Sequence, residues 1–194
     1  MKPVVLTRVF FLLLLAAPVF GQGVTASPTP TPAEPKKSNE RPAEAAAAAE
    51  PFDKADSKAM ASKCVMLDTE AGMIEIEMYP ESAPESVRNF LNLVSIGAFN
   101  TTTFSRVVPG FVVQGGNIWT REGGVSTDLG RRARRTIPDE PNKILHERGI
   151  VSMARPDAPN SATTNFFILV DKADYLDGKF AAFGRVSTGK SSLL

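Results

Sequence analysis

One cysteine, one histidine and one tryptophan occur among 194 residues, and the formal charge at pH 7 is +1. Each scarcity excludes something. With Cys64 alone, no intrachain disulfide forms and no multi-cysteine metal site exists. With His146 alone, a zinc site built from several histidines is excluded. Any Ser-His-Asp or Cys-His relay has to run through that one ring. The 22 basic and 21 acidic side chains leave no net basic surface of the kind that nucleic acid or an anionic membrane demands. What remains is ordinary for a globular chain, 43% apolar and 22% charged. The length fills one domain and falls short of two. An enzyme of this composition is expected to work without a nucleophile and without a metal.

The N-terminal region reads as an address followed by a spacer. Lys2 and Arg8 precede an uninterrupted apolar run from Val9 to Ala17. At 1.5 Å per residue that run covers about half of a ~30 Å hydrocarbon core, too little to span it. A basic start, a short apolar stretch and small residues near Gly21 form the secretory pattern. Residues 1–21 are therefore expected to be a signal peptide that sends the chain to the periplasm or outside the cell, with an uncleaved membrane anchor as the alternative. Residues 22–62 are expected to be a disordered Pro/Ala-rich tether. Pro28, Pro30, Pro32, Pro35, Pro42 and Pro51 favour extended backbone. Ala45–Ala49 is too short to hold a helix alone, and large apolar side chains are nearly absent before Phe52.

The pattern changes in the third region, residues 63–194. Val65–Thr69 and Met73–Tyr79 flank Glu70-Ala71-Gly72, and Ile74, Ile76 and Met78 alternate with Glu75 and Glu77. That period of two predicts a half-buried hairpin whose glutamates face solvent. Ser82-Ala83-Pro84-Glu85 predicts a capping box at the start of a helix. Val87, Phe90, Leu91 and Val94 then form one apolar stripe, and Gly97 stops it. Short β-rich runs follow at Thr102–Val108, Phe111–Gln114, Ile150–Ala154, Asn165–Val170 and Phe180–Val186, with a turn at Pro109-Gly110. Many short strands and one clear helix predict a mainly β barrel or sandwich. Arg131-Arg132-Ala133-Arg134-Arg135 reads as a solvated basic loop.

Four ordered stretches resemble the cyclophilins, which are peptidyl-prolyl cis–trans isomerases. They are Pro84–Phe90, then Phe104–Gly116, then Ser152–Arg155 with Asn165–Ile168, and last Tyr175–Phe180 with Phe183–Val186. The Met153-Ala154-Arg155 and Ser161-Ala162-Thr163 forms are closer to bacterial than to animal members. The resemblance implies a closed antiparallel eight-stranded barrel capped by helices. It also implies that the last helix and strand of that barrel are missing after Val186, so the domain is C-terminally short. No cofactor or metal is implied. The partners implied are Pro-containing unfolded or flexible polypeptides, with no nucleic acid, and the chain is expected to be a monomer.

The implied chemistry suits a chain without nucleophiles. Amide resonance opposes rotation with a barrier of ~18–20 kcal/mol, and X–Pro bonds isomerise in tens to hundreds of seconds. An acceleration of about a hundred-thousand-fold requires roughly 7 kcal/mol. By resemblance, Arg106 meets the lone pair of the twisted imide and Gln114 orients it. Phe111, Val112, Phe167, Leu176 and Phe180 hold the proline ring. Ala154, Arg155, through its backbone, and Asn165 line the same groove. Tyr175 stands where many members carry the Trp associated with cyclosporin, which implies weak inhibition. Phe180 and Ser105 stand where His is common, and Asn165 where Gln is. Without the resemblance, Arg106 reads as a polar strand residue and the phenylalanines as core. Two alternatives stay open: a groove that binds Pro segments as a chaperone or scaffold without turnover, and an inactive fragment.

Overall fold

The computed structural model describes residues 49–187, all within one unit that begins at Ala46. The expected signal peptide, most of the expected tether and the last seven residues, 188–194, lie outside the described residues. The strands are β1 (Cys64–Thr69), β2 (Gly72–Met78), β3 (Arg106–Val108), β4 (Val112–Gly115), β5 (Ile150–Met153), β6 (Phe166–Leu169) and β7 (Ala182–Val186). They form one antiparallel sheet in the order β1-β2-β7-β5-β6-β4-β3. The helices are α1 (Ser57–Ala61), α2 (Pro84–Ser95) and α3 (Thr127–Arg132), with single 3-10 turns at Ile118–Thr120 and Asp174–Leu176.

Each strand follows from its alternation. β1 and β2 join through Glu70-Ala71, with Thr69 opposite Gly72, and Ile74, Ile76 and Met78 turn inward. Pro109-Gly110 makes the β3–β4 turn, in which the Phe111 N–H donates to Val108 O at 3.0 Å and Gly110 takes φ +70°. On β6, Phe166 and Ile168 enter an inner cluster while Phe167 and Leu169 enter an outer one. The inner cluster lies within the curl of the sheet, where Phe90 meets the Phe99, Phe166 and Phe183 rings at 5.5, 5.2 and 5.1 Å.

Helix α2 departs from expectation at its start. Its N-cap is Ala83, not Ser82, and Glu85 closes no capping box. The exposed amide donors bond instead to a distant carboxylate. The Glu85 and Ser86 N–H groups donate to Glu140 at 2.9 and 2.8 Å, and the Ser86 hydroxyl donates at 2.7 Å. A loop 54 residues downstream thus caps the helix. The other end is as expected. Gly97 takes φ +67°, and the Ala98 N–H reaches back to Leu93 O at 2.9 Å.

Three further expectations are corrected. The expected closed eight-stranded barrel is, among the described residues, a curled seven-stranded sheet with free edges at β1 and β3. Between them lies a cavity of about 1100 Å3 lined by Val65, Leu67, Phe104, Val107 and Val113 among others. The spacer does not run to residue 62. Met60 is buried in the inner core, Phe52 is packed against that core, and the Phe52 N–H donates to Asn92 Oδ1 at 2.8 Å. The isolated Phe52 and Met60 were too sparse to read as core without knowing that α2 offers them a face. The basic run is not all loop either. Its first half lies in α3, and Arg132 bonds Asn89 and ion-pairs with Glu50.

Candidate active site

The residues singled out by sequence gather on the outer face of the sheet. Cross-strand register sets Arg106 opposite Gln114, Gln114 opposite Phe167, and Phe167 opposite Ser152. Directly opposed residues share a face, so one row crosses β3, β4, β6 and β5. Beside it, Val112, Phe167 and Leu176 are buried in one cluster, with Phe111, Ala154 and Phe180 half-buried against it. The aromatic walls are tied together: Phe167 meets Phe180 edge-on at 5.9 Å, and Phe111 lies 5.7 Å from Tyr175. Tyr175 is 60% exposed, so this wall has an open rim.

Arg106 is exposed at the start of β3, with its guanidinium carbon 6.0 Å from the centre of the Phe111 ring. Among the described residues it has no hydrogen-bond or ion-pair partner, which leaves its five N–H donors available. Gln114, half-buried, is the neighbour that register puts beside it. An apolar floor next to an uncommitted cationic donor can hold a small ring and hydrogen bond an atom of it, because proximity to apolar walls strengthens the donor's field.

Arg155 and Asn165 play a different part from the rest. The Ala154 N–H donates to Asn165 O at 2.9 Å, which joins the end of β5 to the start of β6. The Arg155 side chain pairs with Asp139 at 3.3 Å, donates to the Pro156 carbonyl at 3.0 Å and lies 5.3 Å from the Phe180 ring. It therefore braces Phe180 and the 156–158 loop with a charge that is already neutralised.

Sequence reasoning missed what lies under this surface. His146, 1% exposed, receives Ser152 and Asp177 on its two ring nitrogens at 3.0 Å each. Its backbone N–H also donates to Asp177 Oδ1 at 2.7 Å. Asp177 lies just past the Asp174–Leu176 turn that carries Tyr175 and Leu176. The backbone bond from His146 holds its carboxyl below the usual carboxylate range, helped by the ring bond against the opposing effect of burial. The order Asp–His–Ser is that of a hydrolase relay, but the Ser152 hydroxyl is sealed, with 0% exposure. The only sequence signal for this cluster was the solitary histidine.

Fold and site together define a β-sheet protein whose outer face carries an apolar cluster with Arg106 at its edge. Residues 64–193 match the family described as cyclophilin type peptidyl-prolyl cis-trans isomerase, and the chain belongs to that family. It is 44% identical over 130 residues to peptidyl-prolyl cis-trans isomerase CYP57 of Arabidopsis thaliana, covering 66% of this chain and 25% of that protein. It is 41% identical over 140 residues to peptidyl-prolyl cis-trans isomerase A of Dickeya dadantii, covering 68% and 69%. The chain thus spans a quarter of the first relative and about two thirds of the second. A solved Cryptosporidium parvum cyclophilin-type isomerase, determined in the presence of the dipeptide Ala-Pro, matches with a TM-score of 0.56 and 28% identity, covering 66% of this chain and 80% of that one.

Proposed function

We propose that this chain is a peptidyl-prolyl cis–trans isomerase acting on X–Pro bonds of unfolded or flexible polypeptides outside the cytoplasm. The observation that carries the reading is Arg106: an exposed guanidinium with no hydrogen-bond or ion-pair partner among the described residues, 6.0 Å from Phe111 and in register with Gln114 and Phe167. Family membership supports the reaction. The N-terminal basic and apolar pattern of Lys2, Arg8 and Val9–Ala17 supports the location.

The proline ring rests against Phe111, Phe167, Leu176 and Phe180. Rotation takes the imide out of resonance, and the proline nitrogen regains a lone pair. Arg106 donates an N–H to that lone pair, and Gln114 orients the guanidinium and the adjacent carbonyl. The donor meets an acceptor that exists only in the twisted state, so the interaction lowers the barrier without tightening ground-state binding. No bond is made or broken, and no proton is transferred. A guanidinium stays charged across the working range, so the rate is expected to vary little between pH 5 and 9.

Exchange NMR on a model X–Pro peptide tests the reading. Wild-type protein speeds interconversion, and Arg106→Ala slows turnover by about a hundred-fold or more, as loss of one transition-state donor does. Peptide affinity falls far less. Equal loss of rate and affinity, or an unchanged rate, removes Arg106 from its role. Binding without any wild-type acceleration leaves a Pro-segment holder in place of an isomerase.

A further inference from the structure

We propose that His146 is a positioning residue that clamps the 174–180 turn to the sheet and so sets how tightly the site holds a proline peptide. The inference rests on the isomerase reading of the same surface. The turn has few anchors of its own. The Leu176, Asp177 and Lys179 N–H groups bond only to Ala173, Asp174 and Leu176 carbonyls within it, while Lys172 and Asp174 form an exposed ion pair at 2.9 Å. Besides the ring contacts of Phe180 with Phe167 and of Tyr175 with Phe111, and Arg155 on Phe180, it is His146, by backbone and ring, that ties it to the sheet. Asp177 Oδ1 accepts from the His146 backbone N–H at 2.7 Å and lies 3.0 Å from Nδ1, the Ala173 N–H donates to His146 O at 2.9 Å, and Nε2 lies 3.0 Å from the Ser152 hydroxyl on β5. The ring also stacks over Phe167, with centroids 6.5 Å apart at 26°.

The geometry places a hydrogen on Nδ1. An ionised carboxylate only accepts, so Nδ1 donates to Asp177 while Nε2 and the Ser152 hydroxyl share the other hydrogen bond. The one ring thereby links the turn bearing Leu176 and Phe180 to the strand behind Phe167. The two walls of the proline pocket are the two things it joins. Loosening the link separates the walls without touching Arg106, so affinity should suffer and the chemical step should not.

Three measurements on the full chain test this. First, His146 is the only histidine, so a long-range 15N–1H spectrum reads one ring. A hydrogen on Nδ1 is expected, and a ring that carries its hydrogen on Nε2 alone overturns the assignment. Second, Asp177→Ala should raise KM for an X–Pro peptide about tenfold while kcat stays within about twofold, and Asp177→Asn, whose Oδ1 still accepts both N–H groups, should restore KM. A lower kcat at unchanged KM, or no rescue by Asn, overturns it. Third, amide exchange at Asp177 and Lys179 should accelerate in Asp177→Ala while the β1–β2 ladder is unchanged. That readout needs no turnover, so it stands if the isomerase reading fails, and uniform acceleration or none contradicts the clamp.

Discussion

The centre of the sheet and its edges are built to different standards. Strands β7, β5 and β6 are paired on both sides, and every residue of β5 and β6 is buried. Among the described residues, strands β1 and β3 are paired on one side only, and Met66 and Val107, 44% and 62% exposed, stand on them. The candidate site straddles this divide. Its apolar walls stand on β6 and on the turn clamped by His146, whereas Arg106 opens a three-residue edge strand. Under the proposed function, binding and chemistry would thereby rest on different parts of the sheet. Damage to the centre should cost stability and affinity together, and changes at β3 should reach the rate alone.

Substitutions that break or sharpen this contrast can be ranked by expected effect. The largest is Phe183→Ala in β7. Its ring is fully buried against Phe90 at 5.1 Å, and its loss should cost about 3–5 kcal/mol in urea unfolding. A cost below about 1 kcal/mol would mean that the centre is no better packed than the edge. Next is Gly116→Ala, just past β4. The residue holds φ +84°, and an added Cβ would sit 2.2 Å from Thr164 O, where backbone must give way. A loss of about 2 kcal/mol is expected, with KM rising as the β4–β6 spacing changes. Glu140→Ala removes the acceptor for the first turn of α2 and should cost about 1 kcal/mol, read as a lower Tm.

Acid makes a smaller and more local change. The folded-state pKa of Asp177 lies below its ordinary 3.8, chiefly because of the His146 backbone bond. Its contribution is therefore complete above the unfolded value and is lost as pH falls through the lower folded value. The Asp177 contribution to holding the turn should show as a change in the Tyr175 and Phe180 ring signals below about pH 4. Movement nearer neutrality would point to another group. Smallest in stability is Val107→Lys on the free edge. It should leave unfolding within about 0.5 kcal/mol of wild type and lower any concentration-dependent association that sedimentation finds in the wild type, since a charge on a strand edge opposes strand pairing. Unchanged association would show that the edge is not where copies meet.

Much of this was legible beforehand, and the gaps have a common cause. The β1–β2 hairpin, the α2 stripe and the Pro109-Gly110 turn depend on neighbours within a few residues, so local pattern sufficed. The candidate site residues came through resemblance, and the register puts Arg106, Gln114 and Phe167 in one row. The Glu140 cap escaped because its acceptor lies 55 residues from Glu85. Expected strand ends overran by one to four residues, as at Thr102, which precedes β3, because β propensity does not reveal where a pairing partner stops.

The amino-acid order alone determined the alternation, the helix stripe, the uncommitted chemistry of a chain with one histidine and one cysteine, and the motifs of the family. Those are properties of spacing and side-chain type, which travel with the chain. Tertiary structure decided that Phe52 and Met60 belong to the folded unit, that Glu140 caps α2, and that His146 joins Ser152 to Asp177. Each of these needs two groups far apart in sequence to arrive at hydrogen-bonding or packing distance. Such forces act over a few ångströms, so only the folded chain can bring them into play.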